Sequence, residues 1–221
     1  MKLLICAATL PELQTFSMKA AGLELCETSP FAQVGEQAFL LTGVGIPPTL
    51  ANLFTLLPSL HPERILDIGI AGAYPNSGLQ IGDVVMGTSE VYGDVGFELP
   101  EPPYFQTIAD SRFAGSLYAE PFPLERFEEW ITPTLYWGRG VTVNTCTGSE
   151  RIGLLRESGF QASFETMEGA AVAQVARQFG IPVCEIRAIS NIASTRDMRF
   201  ENIRHALINL KSHFQACREQ R

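Results

Sequence analysis

The chain has few of the residues and patterns that announce common functions. Its 221 residues hold three histidines, His61, His205 and His213, with no H-x-x-x-H pair, so no zinc site or other metal centre is expected. The five cysteines, Cys6, Cys26, Cys146, Cys184 and Cys217, form no C-x-x-C pair and are odd in number. Cys6 and Cys184 lie inside apolar runs, where a thiol acts as a small hydrophobe, so reduced thiols and a cytoplasmic location are expected. Lys and Arg total 16 against 24 acids, for a net charge of −8. Their nearest approach to a cluster, "KSHFQACREQR", reads as the cationic end of a last helix. That balance argues against nucleic acid and against anionic membranes as partners. No apolar run reaches the ~18 residues of a membrane helix. "MKLLICAATLPEL" stops at Pro11-Glu12 and reads as a buried first strand rather than a signal segment. There is no G-K-[ST] phosphate loop, and "TGVGIPP" lacks the third glycine of a dinucleotide fingerprint.

What is present is a globular composition, 46% hydrophobic and 18% charged, of a length suited to one α/β domain spanning 1–221. Apolar strand-length runs alternate with helical patterns, which predicts a mostly parallel sheet covered by helices. Strands are expected at Lys2–Ala8, Gln37–Thr42, Arg64–Ile70, Ile81–Tyr92, Leu135–Val143, Gln161–Phe164 and Ile181–Ile189. Helices are expected at Pro11–Ala21 (closed by Gly22), from Pro47-Pro48 to Leu57, after a cap at Thr147 or Ser149, at Met167–Gln178, and at Met198–Glu219 behind an Asp197 cap. Residues 97–136, rich in proline and aromatics, read as an irregular excursion with a short helix near Leu124–Trp130. It is either a loop packed on its own domain or a lid or subunit-contact surface.

Several polar residues fall at one rim of such a sheet. "EIRAISNIAS" runs from a buried strand to Ser190 and Asn191 at its tip, putting an amide where an Asp could have handed over a proton. "DIGIAGAY" places Ala71, Gly72 and Ala73 where a flat ligand could lie on bare backbone. Glu12 begins the first helix and Glu168 the helix of "TMEGAAVA". Each alone reads as a dipole partner. With Arg187, they form a set able to orient a water, remove its proton as it attacks a cationic sugar carbon, or hold ribose hydroxyls.

These stretches, with "TGVG" and "IGDVV", resemble the nucleoside phosphorylase and nucleosidase superfamily nearly end to end. Within it they are similar to the futalosine hydrolase family and, more distantly, to the methylthioadenosine/S-adenosylhomocysteine nucleosidases. The resemblance implies a three-layer α/β sandwich around a mixed, mostly parallel twisted sheet. It implies Glu12 as the group that deprotonates water, Met167 and Glu168 on the ribose, Arg187 ordering the carboxylates, and Ser190 and Asn191 on the purine. Ala71 and Gly72 line the site, and Asn144 and Thr145 fall where the nucleosidases carry a purine-stacking aromatic. Adenine nucleosidases carry Asp at the Asn191 position. An amide there suits hypoxanthine, which presents two acceptors. Glu12, and the lack of an Arg in the turns at Gly43 and Gly72, favour hydrolysis over phosphorolysis. Ile70 stands where many relatives have Ser. The implied reaction splits futalosine into hypoxanthine and dehypoxanthinyl futalosine, a step of menaquinone biosynthesis. It needs no metal or organic cofactor and is carried out by a homo-oligomer of dimer size or larger. A carboxylate on that substrate's tail asks for a cation, with Arg112, Arg196 and Arg199 as candidates.

Overall fold

The computed structural model describes residues 1–17, 25, 26, 28–115, 120–195 and 197–220. Strands β1 (Leu3–Ala7), β3 (Gln37–Leu41), β4 (Ile65–Ala73) and β11 (Val183–Ile192) run parallel side by side, in the order β11-β4-β1-β3. Their continuous apolar sequences fit strands buried on both faces. Helices α1 (Leu10–Phe16) and α5 (Phe200–Glu219) pack on one face, α2 (Ile46–Leu60) and α4 (Gly169–Gln178) on the other. α4 lies close to the sheet because most of its buried residues are small: Gly169, Ala170, Ala171, Ala173 and Ala176, with Val172 and Val175 the larger ones. A β2 strand (Phe31–Val34), absent from the expectations, pairs antiparallel with β3 through a turn at Gly35, whose φ of +61° suits glycine.

The other half of the sheet closes on itself. β5 (Val84–Tyr92) lies antiparallel to β11, β9 (Tyr136–Thr142) parallel to β5, and β10 (Phe164–Thr166) parallel to β9. β10 then pairs antiparallel with the end of β4, Phe164 with Ala73 and Glu165 with Gly72. The ring β4-β11-β5-β9-β10 adds a curled half to the sandwich and draws β10 and the start of α4 toward Gly72.

Four expectations need correction. The first helix was expected to run to Ala21, but Ser17 is extended (φ −150°, ψ 127°); the Gly22 stop lies outside the described residues. The strand expected at 161–164 lies at 164–166, because Gln161 is the left-handed cap of α3 (Glu150–Phe160). Asp197 does not cap α5, which starts after Arg199; its carboxylate binds the Arg199 side chain instead. β4 and β11 also continue past their expected ends, so "AGA" is paired strand rather than a turn, and Asn191 is not an exposed tip. Asn191 sits inside β11 and is 7% exposed, beyond a bulge at Ser190 between the Ile189–Ala71 and Asn191–Gly72 pairs. The excursion is irregular as expected, with a small hairpin of β6 (Gly96–Glu98) and β7 (Phe105–Thr107), a two-residue β8 (Phe122–Pro123) and a 3-10 turn at Glu128–Trp130.

α3 rests on the end of β11 through Gly153, where an added Cβ would run into the Ala193 carbonyl, a backbone atom that cannot swing aside. Gly153→Ala is expected to destabilise folding by about 1–3 kcal/mol, measured by urea denaturation.

Candidate functional site

Four consecutive residues of β4 form the floor of the site. A Cβ at Gly69 would come within 2.7 Å of Glu12 Oε1 and would clash with the Arg187 guanidinium, so both groups meet over bare backbone. The Ile70 amide donates to Glu12 Oε1 at 2.9 Å. The Ala71 carbonyl lies 3.2 Å from the Ser190 hydroxyl. A Cβ at Gly72 would stand 3.0 Å from Asn191 Nδ2. The strip therefore carries an acid–guanidinium pair at one end and an amide at the other, three strand steps or about 10 Å apart.

Glu12 is 6% exposed and closes a capping box at the start of α1. The Thr9 amide and hydroxyl both donate to its Oε2, at 3.0 and 2.6 Å. The residue thus caps its own helix while its other oxygen reaches β4. Glu168 caps α4 from the opposite layer and receives the Gly45 amide on Oε1 at 2.7 Å. Gly45 sits at φ +93°, a conformation that glycine takes without strain and that aims its N–H at Glu168. Burial raises the Glu168 carboxyl to about 7, against the opposing pull of Arg187 and the Gly45 N–H. Met167, half-buried, precedes it.

Arg187 is 1% exposed. Its Nε donates to Glu185 Oε1 at 2.8 Å and its Nη2 pairs with Asp67. Asp67, Glu185 and Glu90, all buried, were not anticipated from the sequence. A period-2 signal existed, since Glu185 and Arg187 alternate onto one face of a strand, but it was hidden in an apolar run.

At the other end, the Ser190 hydroxyl lies 3.0 Å from Asn191 Oδ1, so its single proton is divided between that oxygen and Ala71. Asn191 Nδ2 sends one hydrogen to the Ile192 carbonyl over a long 3.3 Å. Bridging two acceptors on a base requires that bond to be given up. Asn144 and Thr145 are exposed. The Asn144 side-chain amide is engaged by Asp94 at 3.1 Å, and both backbone amides also bind Asp94. Farther along the loop, the Thr147 amide and hydroxyl bind Glu165, the β10 partner of Gly72, at 2.8 and 2.5 Å. Of the tail-recognition candidates, Arg112 lies over the Phe113 ring at 4.9 Å, Arg199 pairs with Asp197 at 2.7 Å, and Arg196 lies outside the described residues.

The family profile described as Phosphorylase superfamily matches residues 31–217. A futalosine hydrolase of Thermus thermophilus is 32% identical over 178 residues, 76% of this chain and 75% of the relative. A 5′-methylthioadenosine/S-adenosylhomocysteine nucleosidase of Bacillus cereus is 29% identical over 178 residues, 76% of this chain and 74% of the relative. The structure of a futalosine hydrolase mutant of Helicobacter pylori superposes with a TM-score of 0.73 at 19% identity, covering 100% of both chains, and shows the same fold. The chain belongs to the phosphorylase superfamily. Among the described residues, no helix is long and apolar enough to cross a membrane.

The raised Glu168 carboxyl has a consequence for stability. A carboxyl lifted in the folded state contributes stability that is fully present below the ordinary carboxylate range and is lost as pH rises through about 7. Glu168→Gln escapes that loss. Its unfolding free energy is expected to match wild type near pH 4 and exceed it by about 2–3 kcal/mol at pH 8, read from denaturation at the two pH values.

Proposed function

We propose that the chain is a purine nucleoside N-glycosidase that hydrolyses futalosine to hypoxanthine and dehypoxanthinyl futalosine, with residues 1–221 acting as one domain. The observation that carries this reading is the strip Gly69–Gly72, with Glu12, Arg187 and Glu168 at one end and a neutral amide at the other. A purine nucleoside laid along it places ribose between Glu12 and Glu168 and the base against Gly72 and Asn191. The futalosine hydrolase relative supports the choice of substrate.

In this mechanism the C1′–N9 bond lengthens toward an oxocarbenium-like state. Glu12, fixed by Thr9 and the Ile70 amide, orients a water and takes its proton as the water attacks C1′. Glu168 accepts hydrogen bonds from the ribose hydroxyls, and Met167 packs against the sugar. The Asn191 amide hydrogens meet charge developing on the purine. Hypoxanthine offers N7 and O6, both acceptors, and an Asp in that place would leave an oxygen facing an oxygen, at about 1–3 kcal/mol per mismatch. Asp197 is bound to Arg199, so the departing base takes its proton from solvent in this scheme. No step uses a metal or organic cofactor. The reading carries with it a role in menaquinone biosynthesis in a bacterial cytoplasm, and a homo-oligomer with residues 97–136 as a subunit contact.

The test is a panel of futalosine, inosine and methylthioadenosine, each with and without phosphate, with released base measured by chromatography. Phosphate-independent release of hypoxanthine from futalosine is expected. Release that depends on phosphate, or a preference for methylthioadenosine, would overturn the assignment. In the same panel, Asn191→Asp is expected to shift preference toward the 6-aminopurine nucleoside by roughly tenfold or more.

A further inference from the structure

Two buried carboxyls take no part in the chemistry just described. Glu90 of β5 is fully buried and Glu185 of β11 is 1% exposed. They meet beneath the first turn of α4, where a Cβ at Gly169 would come within 2.5 Å of Glu185 Oε1 and 2.6 Å of Glu90 Oε1. The absent side chain is what lets both oxygens occupy one small, dry space. Beyond burial, the charge of Glu185 and a hydrogen bond between the two side chains both raise the Glu90 carboxyl, as expected for two acids brought close in a dry space.

The hydrogen bonds around Glu90 run toward α4. Its Oε2 accepts from the Thr142 hydroxyl at 2.9 Å and its Oε1 from the Thr166 hydroxyl at 3.3 Å. Those hydroxyls accept in turn from the Ala170 amide at 2.7 Å and the Gly169 amide at 3.3 Å. Amides that a helix start leaves without internal partners therefore reach Glu90 through two threonines. Glu185 Oε1 takes Arg187 Nε, while its Oε2 has no partner among the described residues. Burial, followed by the charge of Glu185, pushes Glu90 well above the ordinary carboxylate range. The other charged groups facing the pair are Arg187 on β11 and Asp67 on β4, and Glu168 at the start of α4 faces Arg187 and Asp67 in turn. β9 and β10 present the two threonine hydroxyls.

We propose that Glu90 and Glu185 hold one proton between them and thereby position the start of α4, with the Glu168 carboxylate it carries, for the ribose. Both are positioning residues, and the inference rests on reading Glu168 as the ribose-binding group. The proton belongs to the pair, so a Gln at position 90 substitutes for it: the amide donates to Glu185 and its oxygen still accepts from a threonine. A Leu cannot.

The experiment compares the full-length protein with Glu90→Gln and Glu90→Leu. At neutral pH, wild type minus Glu90→Gln difference infrared spectra are expected to show a protonated carboxyl C=O band that shifts in D2O. Glu90→Gln should keep kcat and KM within about threefold of wild type at neutral pH, and should lack the alkaline rise in KM that loss of the shared proton gives wild type, keeping only the change due to Glu168 titrating through about 7. Glu90→Leu should raise KM roughly tenfold or more, with a smaller change in kcat, and should speed amide exchange at Gly169 and Ala170. Absence of the infrared band, or a folded Glu90→Leu with wild-type KM and wild-type exchange, overturns the proposal. Should Glu90→Leu fail to fold, the band and the alkaline profile of Glu90→Gln decide it. A wild-type protein that turns over no nucleoside counts against the proposed activity, and the band and the amide exchange still test the shared proton.

Discussion

The structure depends on the burial of one guanidinium. β4 and β11 lie side by side in a register that sets Glu185 opposite Asp67 and Arg187 opposite Gly69. Two acids directly across from each other in a sheet interior repel, and neither can turn to water. Arg187 resolves the conflict by reaching back along its own strand to Glu185 and across to Asp67. It has room because its partner is glycine. The same lack of a side chain brings the Glu12 carboxylate over Gly69, so the charge that holds the core together also forms one wall of the site. The strand pair and the site are thus one electrostatic arrangement rather than a scaffold with groups added.

The three layers meet at that arrangement. α1 delivers Glu12 through a capping box, with one carboxylate oxygen ending the helix and the other binding β4. α4 delivers Glu168 from the opposite face, and Gly45, ahead of α2, supplies the amide that donates to it. Ring closure through β10 brings Glu165 beside Gly72, and Glu165 fixes the loop at Thr147. Each acid is placed by backbone hydrogen bonds or by another side chain rather than by its own packing. Such placement keeps side chains in one rotamer at little further entropic cost, which suits the proposed chemistry, where groups must already be in position when charge develops.

Much of this was legible in the sequence, and the failures share a cause. Glycine, proline and apolar runs marked most of the strands and α2 because those signals are local. Glu12, Glu168, Arg187 and Asn191 could be grouped because strand ends and helix starts of such a sheet converge on one rim. The hidden part was set by register. Nothing local says that the Asp in "ILDIGI" faces the Glu in "VCEIRAI", or that the Glu of "SEVY" lies beneath the glycine of "MEGAA". The end of β11 was misplaced for a related reason: a bulge at Ser190 adds one residue without a sequence mark, so Asn191 stays paired where a tip was expected. The loop at 144–147 is placed in the same non-local way, since Asp94 holds Asn144 and Thr145 and Glu165 holds Thr147.

The register also gives Asn191 a second rationale. The interior behind the site already holds Asp67, Glu90, Glu165 and Glu185, with Glu12 and Glu168 at its edge, against buried Arg187 and half-buried Arg156 among the described residues. An Asp at 191 would add another carboxylate to a region with more acids than bases. Burial would then hold that acid protonated more readily than an exposed one. An amide avoids this cost and keeps two donors. In the proposed reading, the electrostatics of the core and the two acceptors of a 6-oxopurine favour the same residue for independent reasons, and recognition at this end of the strip rests on hydrogen-bond direction because the core has little room for another negative charge.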